Sequence, residues 1–272
     1  MIKDITLGQF FPTNSLIHKI DPRVKIILIS VYIVFLFIAK NFGSLGFMTC
    51  ITVILMIITK IPLKLYFKGL RPVLFILLFT SVLNVFYGSG EPIWQWGILK
   101  VTWNGIQTAV FVSVRIVVLI MISCILTYTT SPTDLTDALE RIMKPLTVFK
   151  IQVHEIAMMM TIALRFVPTL LEETDKIMNA QKARGADMES GGIVKKLKAM
   201  IPVLIPLFVS SFNRAFDLAV AMECRCYRGG KGRTRMKVLK AGKIDVIAVI
   251  FSAIVLAGVI VCNVMFPQLT VK

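Results

Sequence analysis

The chain has 272 residues, 56% of them apolar and only 17% charged, with a mean hydropathy of +0.79. That balance excludes an ordinary soluble domain, which is nearer a quarter charged. Lys and Arg outnumber Asp and Glu by 31 to 15, a formal net charge of +16. With no aromatics interleaved in the basic run near the C-terminus, the excess fits cytoplasmic loops of a membrane protein better than a nucleic-acid surface, and no nucleic-acid partner is expected.

The opening segment carries Pro12, Asp21, Pro22 and several charges with no apolar run, so no cleavable signal peptide is expected. A helix needs about 20 mostly apolar residues to cross a bilayer. Five stretches qualify: Val24–Ala39, Phe42–Thr59, Pro72–Phe86, Gly105–Tyr128 and Ile244–Phe266. Lys25 and Lys40 flank the first and can snorkel to the interface. A loop with Gly88, Gly90 and Pro92 follows the third. The fourth contains Arg115, and Asp245 sits near the entrance of the fifth.

Loop charges predict the orientation. Lys3, Lys19, Arg23 and Lys25 precede or open the first span, and Lys60, Lys64, Lys68 and Arg71 fill the second connection. The first and third connections hold only Lys40 and Lys100, and the third is rich in Trp (Trp94, Trp96, Trp103). Cytoplasmic loops favour Lys and Arg, and Trp favours interfaces. The N-terminus is therefore expected inside, the C-terminus outside, and Thr129–Lys243 in the cytoplasm. The expected architecture is an all-α integral membrane protein. Residues 1–128 hold four spans, 129–243 form cytoplasmic coupling helices, and 244–272 hold the final span.

The segment 129–243 carries 19 of the 31 basic residues yet contains long apolar helical patterns. A short helix is predicted from Ser131, with Pro132 at its first position and Asp134 in its first turn, to a stop at Pro145. A second runs from about Gln152 to Arg184, with Ile156, Met160, Ala163, Val167, Leu170, Thr174 and Ile177 on one face. A third runs from about Val194 to Tyr227, with Leu197, Ile201, Leu204, Phe208, Ser211, Ala215, Leu218 and Met222 in a similar stripe. Pro168, Pro202 and Pro206 argue against straight helices.

The second helix ends in Lys182-Ala183-Arg184-Gly185-Ala186-Asp187, the third in Cys224-Arg225-Cys226-Tyr227-Arg228-Gly229. Taken singly, each arginine reads as a C-cap, where a cation is favoured by a few tenths of a kcal/mol, about 0.3–1 at most exposed ends. Taken together they suggest a pair of docking pegs. Small neighbours let each guanidinium enter a groove, where its planar fork suits a carboxylate.

These motifs, with several others, resemble the transmembrane T component of energy-coupling factor (ECF) transporters over essentially the whole chain. The matching stretches are Gly8-Gln9-Phe10-Phe11-Pro12 with Ser15, His18-Lys19-Ile20-Asp21-Pro22-Arg23, and Thr129-Thr130-Ser131-Pro132 with Asp134-Leu135 and Ala138-Leu139-Glu140. Ala163-Leu164-Arg165-Phe166-Val167-Pro168 and the two arginine motifs complete the set. The opening resembles the shared-module type, in which one T component serves several substrate-binding subunits. The resemblance implies two ATP-binding-cassette ATPase partners, docked at Ala183-Arg184-Gly185 and at Cys224-Arg225-Cys226. It also implies a small, exchangeable substrate-binding membrane subunit. The second motif departs from the family's Ala-Arg-Gly, and a Cys in place of Gly restricts the backbone.

Arg115 and Arg165 are further candidates, as contacts for the membrane subunit or as structural groups. Arg115 is expected to pair internally, with Asp245 as a candidate, and Arg165 with Glu155, Glu172 or lipid headgroups. His154-Glu155 begins a zincin-like motif, but Met158 stands where the second His is required, so no metal site is expected there. No phosphate-binding loop occurs in the sequence; no cofactor is expected, and ATP would be bound by partner chains. The chain is therefore read as a non-catalytic coupling subunit of an importer for vitamins or other micronutrients. The rival is a permease that binds substrate itself. It should show polar midplane groups or repeated halves, and neither is evident.

Overall fold

A computed structural model describes residues 10–86, 92–96, 99–186, 192–230 and 242–265. Expectations at Gly8, Gln9, Gly88, Gly90, Asp187 and Phe266 lie outside them. The described elements are helices α1 (Pro22–Ile38), α2 (Phe42–Thr59), α3 (Leu63–Leu70), α4 (Leu74–Phe86), α5 (Trp103–Thr129), α6 (Pro132–Met143), α7 (Val153–Ala183), α8 (Ile193–Cys224) and α9 (Lys243–Met265). Strands β1 (Pro92–Trp96) and β2 (Leu99–Thr102) form one antiparallel hairpin between α4 and α5. The chain divides into two compact units, one within Thr136–Lys237 and the other within Gly8–Leu135 and Val238–Lys272.

Helix starts follow local side-chain chemistry. Asp21 caps α1 by accepting from the Arg23 amide at 3.0 Å, and Pro22 at the first helical position gives up an N–H that has no partner there. Asn41 and Ser44 form a reciprocal box at the start of α2. Thr102 accepts from the Gly105 amide at 3.1 Å to start α5. Asp245 reaches back from the third position of α9 to the Gly242 amide at 2.6 Å.

The fold is helical and spans the membrane several times. Among the described residues, five helices are long and apolar enough to cross: α2, α5, α7, α8 and α9. Three coincide with spans expected from sequence. The first expected span is α1, whose 17 residues cover roughly 25 Å, at the short limit for crossing. The third is the second limb of a bent pair, α3 and α4, which meet at 60°. Pro72 in the intervening turn supplies no amide to continue the helix. The second connection is thus helical in part, which loop charge alone did not reveal. In α3, Tyr66 and Leu70 turn inward while Lys64 and Lys68 remain exposed.

In the first-span unit the core runs through Leu36, Met48, Tyr66, Ile125 and Val259, each 2% exposed or less. Lipid tails are as apolar as this core, so close packing and polar cross-links hold the helices together. The Tyr32 hydroxyl donates to the Met48 carbonyl at 2.7 Å, and the Tyr128 hydroxyl donates to Leu65 O at 3.0 Å. Gly105 permits a close approach of backbone: a Cβ there would lie 2.9 Å from the carbonyls of Asn84 and Val85.

Candidate functional site

Helices α7 and α8 pack antiparallel against one another. Ser210 donates to Glu173 at 2.7 Å, Arg214 forms an ion pair with the same carboxylate, and Gln181 reaches the Pro202 carbonyl at 3.4 Å. At the other end, Gly229 and Gly230 lie against Glu155 and His154. The two arginine motifs therefore stand at opposite ends of the pair, separated by most of the 31-residue length of α7, roughly 40 Å. Both helices continue through Pro168, Pro202 and Pro206.

The two ends have the same backbone form. The amides of Gly185 and Ala186 donate to Lys182 O and Gln181 O, each at 3.0 Å. Those of Cys226 and Tyr227 donate to Glu223 O at 2.8 Å and Met222 O at 3.0 Å. This is the Schellman pattern twice, with Arg184 or Arg225 as the capping residue. The pattern needs a left-handed residue next, and Gly185 (φ 85°) and Cys226 (φ 55°) both supply it. Cys in place of Gly thus leaves the helix end unchanged in shape. Ala183, Arg184, Gly185, Cys224, Arg225 and Cys226 are all exposed. Neither guanidinium has a hydrogen-bond or ion-pair partner among the described residues.

The apolar stripes remain largely uncovered in this chain. Leu197, Ile201, Leu204 and Phe208 are 49–64% exposed. Such a surface marks contact with protein or lipid.

The other two candidates differ: Arg115 is bonded inside the chain and Arg165 is exposed. Arg115 does not pair with Asp245. It donates to the Ala39 carbonyl at the end of α1 at 2.6 Å, and its charge lies 4.6 Å from the centre of the Phe111 ring. Asp245 instead accepts the Asp21 amide at 2.8 Å, tying α9 to the start of α1. Arg165 is exposed, with no ion pair to Glu155 or Glu172 among the described residues. His154 meets Glu140 at 3.1 Å and joins α6 to α7.

Sequence reasoning missed a polar knot in which two of the quoted stretches meet. Phe11 donates its amide to Tyr128 O at 2.9 Å. The Phe11 carbonyl accepts from His18 Nε2 at 3.0 Å, and this leaves Nδ1 to accept from the Ser15 hydroxyl at 2.7 Å. Burial pushes the His18 imidazole below its ordinary pKa, against the opposing effect of that carbonyl. Lys25 does not snorkel. It is buried and donates to Thr129 O at 3.0 Å and Thr130 Oγ1 at 3.1 Å, capping the end of α5. The juxtaposed polar stretches Thr13–Asp21 and Thr129–Ser131 were the available signal.

Fold and site together define a class: a multi-pass membrane protein presenting two matched arginine caps on an antiparallel helix pair. Comparison with known proteins places the chain more closely. The family described as CbiQ, cobalt transport protein, matches residues 13–238. The chain is 49% identical, over 98% of its length, to the energy-coupling factor transporter transmembrane protein EcfT of Ruminiclostridium cellulolyticum, all of which is covered. It is 52% identical to the EcfT of Clostridium kluyveri over 91% of this chain and 93% of that one. Against the EcfT of Bacillus subtilis the figures are 44%, 96% and 98%. The chain belongs to this family of transmembrane components of ECF transporters.

Proposed function

We propose that the chain is the transmembrane coupling subunit of an ATP-driven importer of vitamins or other micronutrients. Two ATP-binding-cassette ATPases dock on its arginine tips, one at Arg184 and one at Arg225. A small, exchangeable substrate-binding protein sits on its membrane face, and the chain itself binds no nucleotide. The observation that carries the reading is the duplicated cap: two exposed arginines in one backbone form, at opposite ends of a braced helix pair. ATP-driven closure of two docked subunits would load both ends of the pair at once. Two long helices pinned near Glu173 would turn that load into motion along their uncovered apolar faces.

The test is capture of the two ATPases and vesicle uptake with Arg184→Ala, Arg225→Ala and both changes together. Removing one partner of a desolvated charge pair costs about 2–5 kcal/mol, roughly thirty- to several-thousand-fold in affinity. Each single change should therefore weaken capture at its own tip, and the double change should abolish uptake. Lys should rescue in part, because a point charge cannot reproduce a bidentate fork. Near wild-type assembly and uptake in the double variant would reduce both arginines to ordinary caps.

A further inference from the structure

Two cavities in the unit formed by α1, α2, α5 and α9 share one wall. The first is an open groove of about 320 Å³. Its floor is buried (Ile17, Ile29, Ile125), and its lips are the exposed Leu16 and Ile247, 63% and 64% accessible. Among its lining residues only Lys25, Tyr32 and Ser252 carry a polar side-chain atom, and the Tyr32 hydroxyl is already committed to Met48 O and Thr52 Oγ1. That leaves Ser252 and Lys25 as the polar groups at an otherwise apolar surface, too few to hold a polar solute along its length, whereas an alkyl chain needs no orienting group. The second is a polar cleft of about 450 Å³ bordered by His18, Lys19, Lys25, Thr130, Ser131 and Asp134. Lys25 lines both.

We infer that the pair of cavities is a binding site for one anionic phospholipid, with an acyl chain in the groove and the headgroup phosphate in the cleft against Lys25 and Lys19. An ammonium donates up to three hydrogen bonds, and that of Lys25 gives two to neutral oxygens, Thr129 O and Thr130 Oγ1. Asp134 and Asp245 act on this ammonium through space without an ion-pair contact to it among the described residues: Asp245 accepts the amides of Asp21 and Gly242, and Asp134 accepts from Ser131. With neutral direct contacts, the ammonium keeps a donor that can give a charge-assisted hydrogen bond to an anion in the cleft. Lys25 lies in the first turn of α1, at the depth where headgroups begin once that helix crosses. The exposed lips are where a chain enters from the bilayer.

The test uses the full chain in detergent and native mass spectrometry, with phosphatidylglycerol and phosphatidylcholine of the same acyl chains. One phosphatidylglycerol should be retained, at least ten-fold in preference to phosphatidylcholine. Ala248→Phe fills the groove without touching the cleft and should lower retention of both lipids at least ten-fold. Lys25→Met should erase the headgroup preference. Lys19→Gln, at an exposed position, should reduce it several-fold and covers the case in which Lys25→Met does not fold. Equal retention of the two lipids, or no effect of Ala248→Phe, overturns the inference. Displacement of the lipid by millimolar glycerol phosphate, with Ala248→Phe silent, assigns the cleft to a free phosphate and overturns it too.

Discussion

Cys226 holds φ at 55°, a conformation that strains an L residue by about 1–2 kcal/mol when its Cβ meets the following carbonyl. Glycine removes that strain but adds freedom to the frayed helix end, at a cost of roughly 0.5–1 kcal/mol. The balance favours Gly by about 0.5–1 kcal/mol, or two- to five-fold. Cys226→Gly should therefore slow amide exchange at Cys226 and Tyr227 by about that factor while uptake stays unchanged. Cys226→Val, branched at Cβ, should speed it and weaken ATPase capture at this tip. Faster exchange in the Gly variant would show that the cysteine side chain stabilises the cap by some other contact. At this scale the arginines were legible from sequence, because an Arg followed by a turn-forming residue at a helix end is a local pattern. The partners of Arg115 and Lys25 were not. Both side chains donate to backbone carbonyls left free at the ends of other helices, Ala39 and Thr129, and an orphan carbonyl leaves no mark in a side-chain sequence.

Between α7 and α8, side-chain polar contact concentrates at Glu173, which receives both Ser210 and Arg214. The pair is partly exposed, so its contribution lies in fixing where the helices cross rather than in holding them together. Losing it should let the crossing slide and blur the separation of the two tips. Glu173→Gln and Arg214→Gln should each lower uptake several-fold, with ATPase capture at either tip less affected. The swap of Glu173→Arg with Arg214→Glu should restore at least half of the uptake. Wild-type uptake in both single variants would mean that apolar packing alone sets the crossing. The start of α6 was legible, since Ser131-Pro132 announces it chemically, whereas the first span, expected from Val24, begins two residues earlier at Pro22 behind its Asp21 cap. The eight residues of α3 were not legible, because a short helix flanked by Lys60 and Arg71 carries the same charge signature as a loop. The β1–β2 hairpin was read as a loop for a related reason: Gly88, Gly90 and Pro92 announce a turn but not the pairing beyond it.

Across the whole molecule, length and apolarity leave two topologies open, and they differ at one place. If α1, α2, the bent α3–α4 pair, α5 and α9 cross, the termini lie on opposite sides and both arginine tips share the side of the N-terminus. If α7 and α8 cross as well, the termini are unchanged, but Arg184 moves to the far side while Arg225 stays. Termini therefore cannot separate the two, and the connection from α7 to α8 can. It is bordered by Lys182, Arg184, Lys195, Lys196 and Lys198, and short basic connections are retained on the cytoplasmic side. The helices themselves are amphipathic, with the ion pair of Glu173 and Arg214 near the middle of each, where a bilayer would charge several kcal/mol for exposed ionised groups, about 2.5–3.5 for each on insertion scales. Both arguments support the expectation that α7 and α8 lie on the cytoplasmic side. Single cysteines at Ser131, Ser190 and Lys272, in a background where the five native cysteines are replaced, test this with an impermeant thiol reagent. Ser190 and Lys272 lie outside the described residues, so the expectation rests on sequence charge. Only Lys272→Cys should react from outside, and Ser131→Cys and Ser190→Cys should react once the membrane is opened. External reaction at Ser190→Cys would put Arg184 beyond the reach of a cytoplasmic ATPase, and two-tip docking would fail with it.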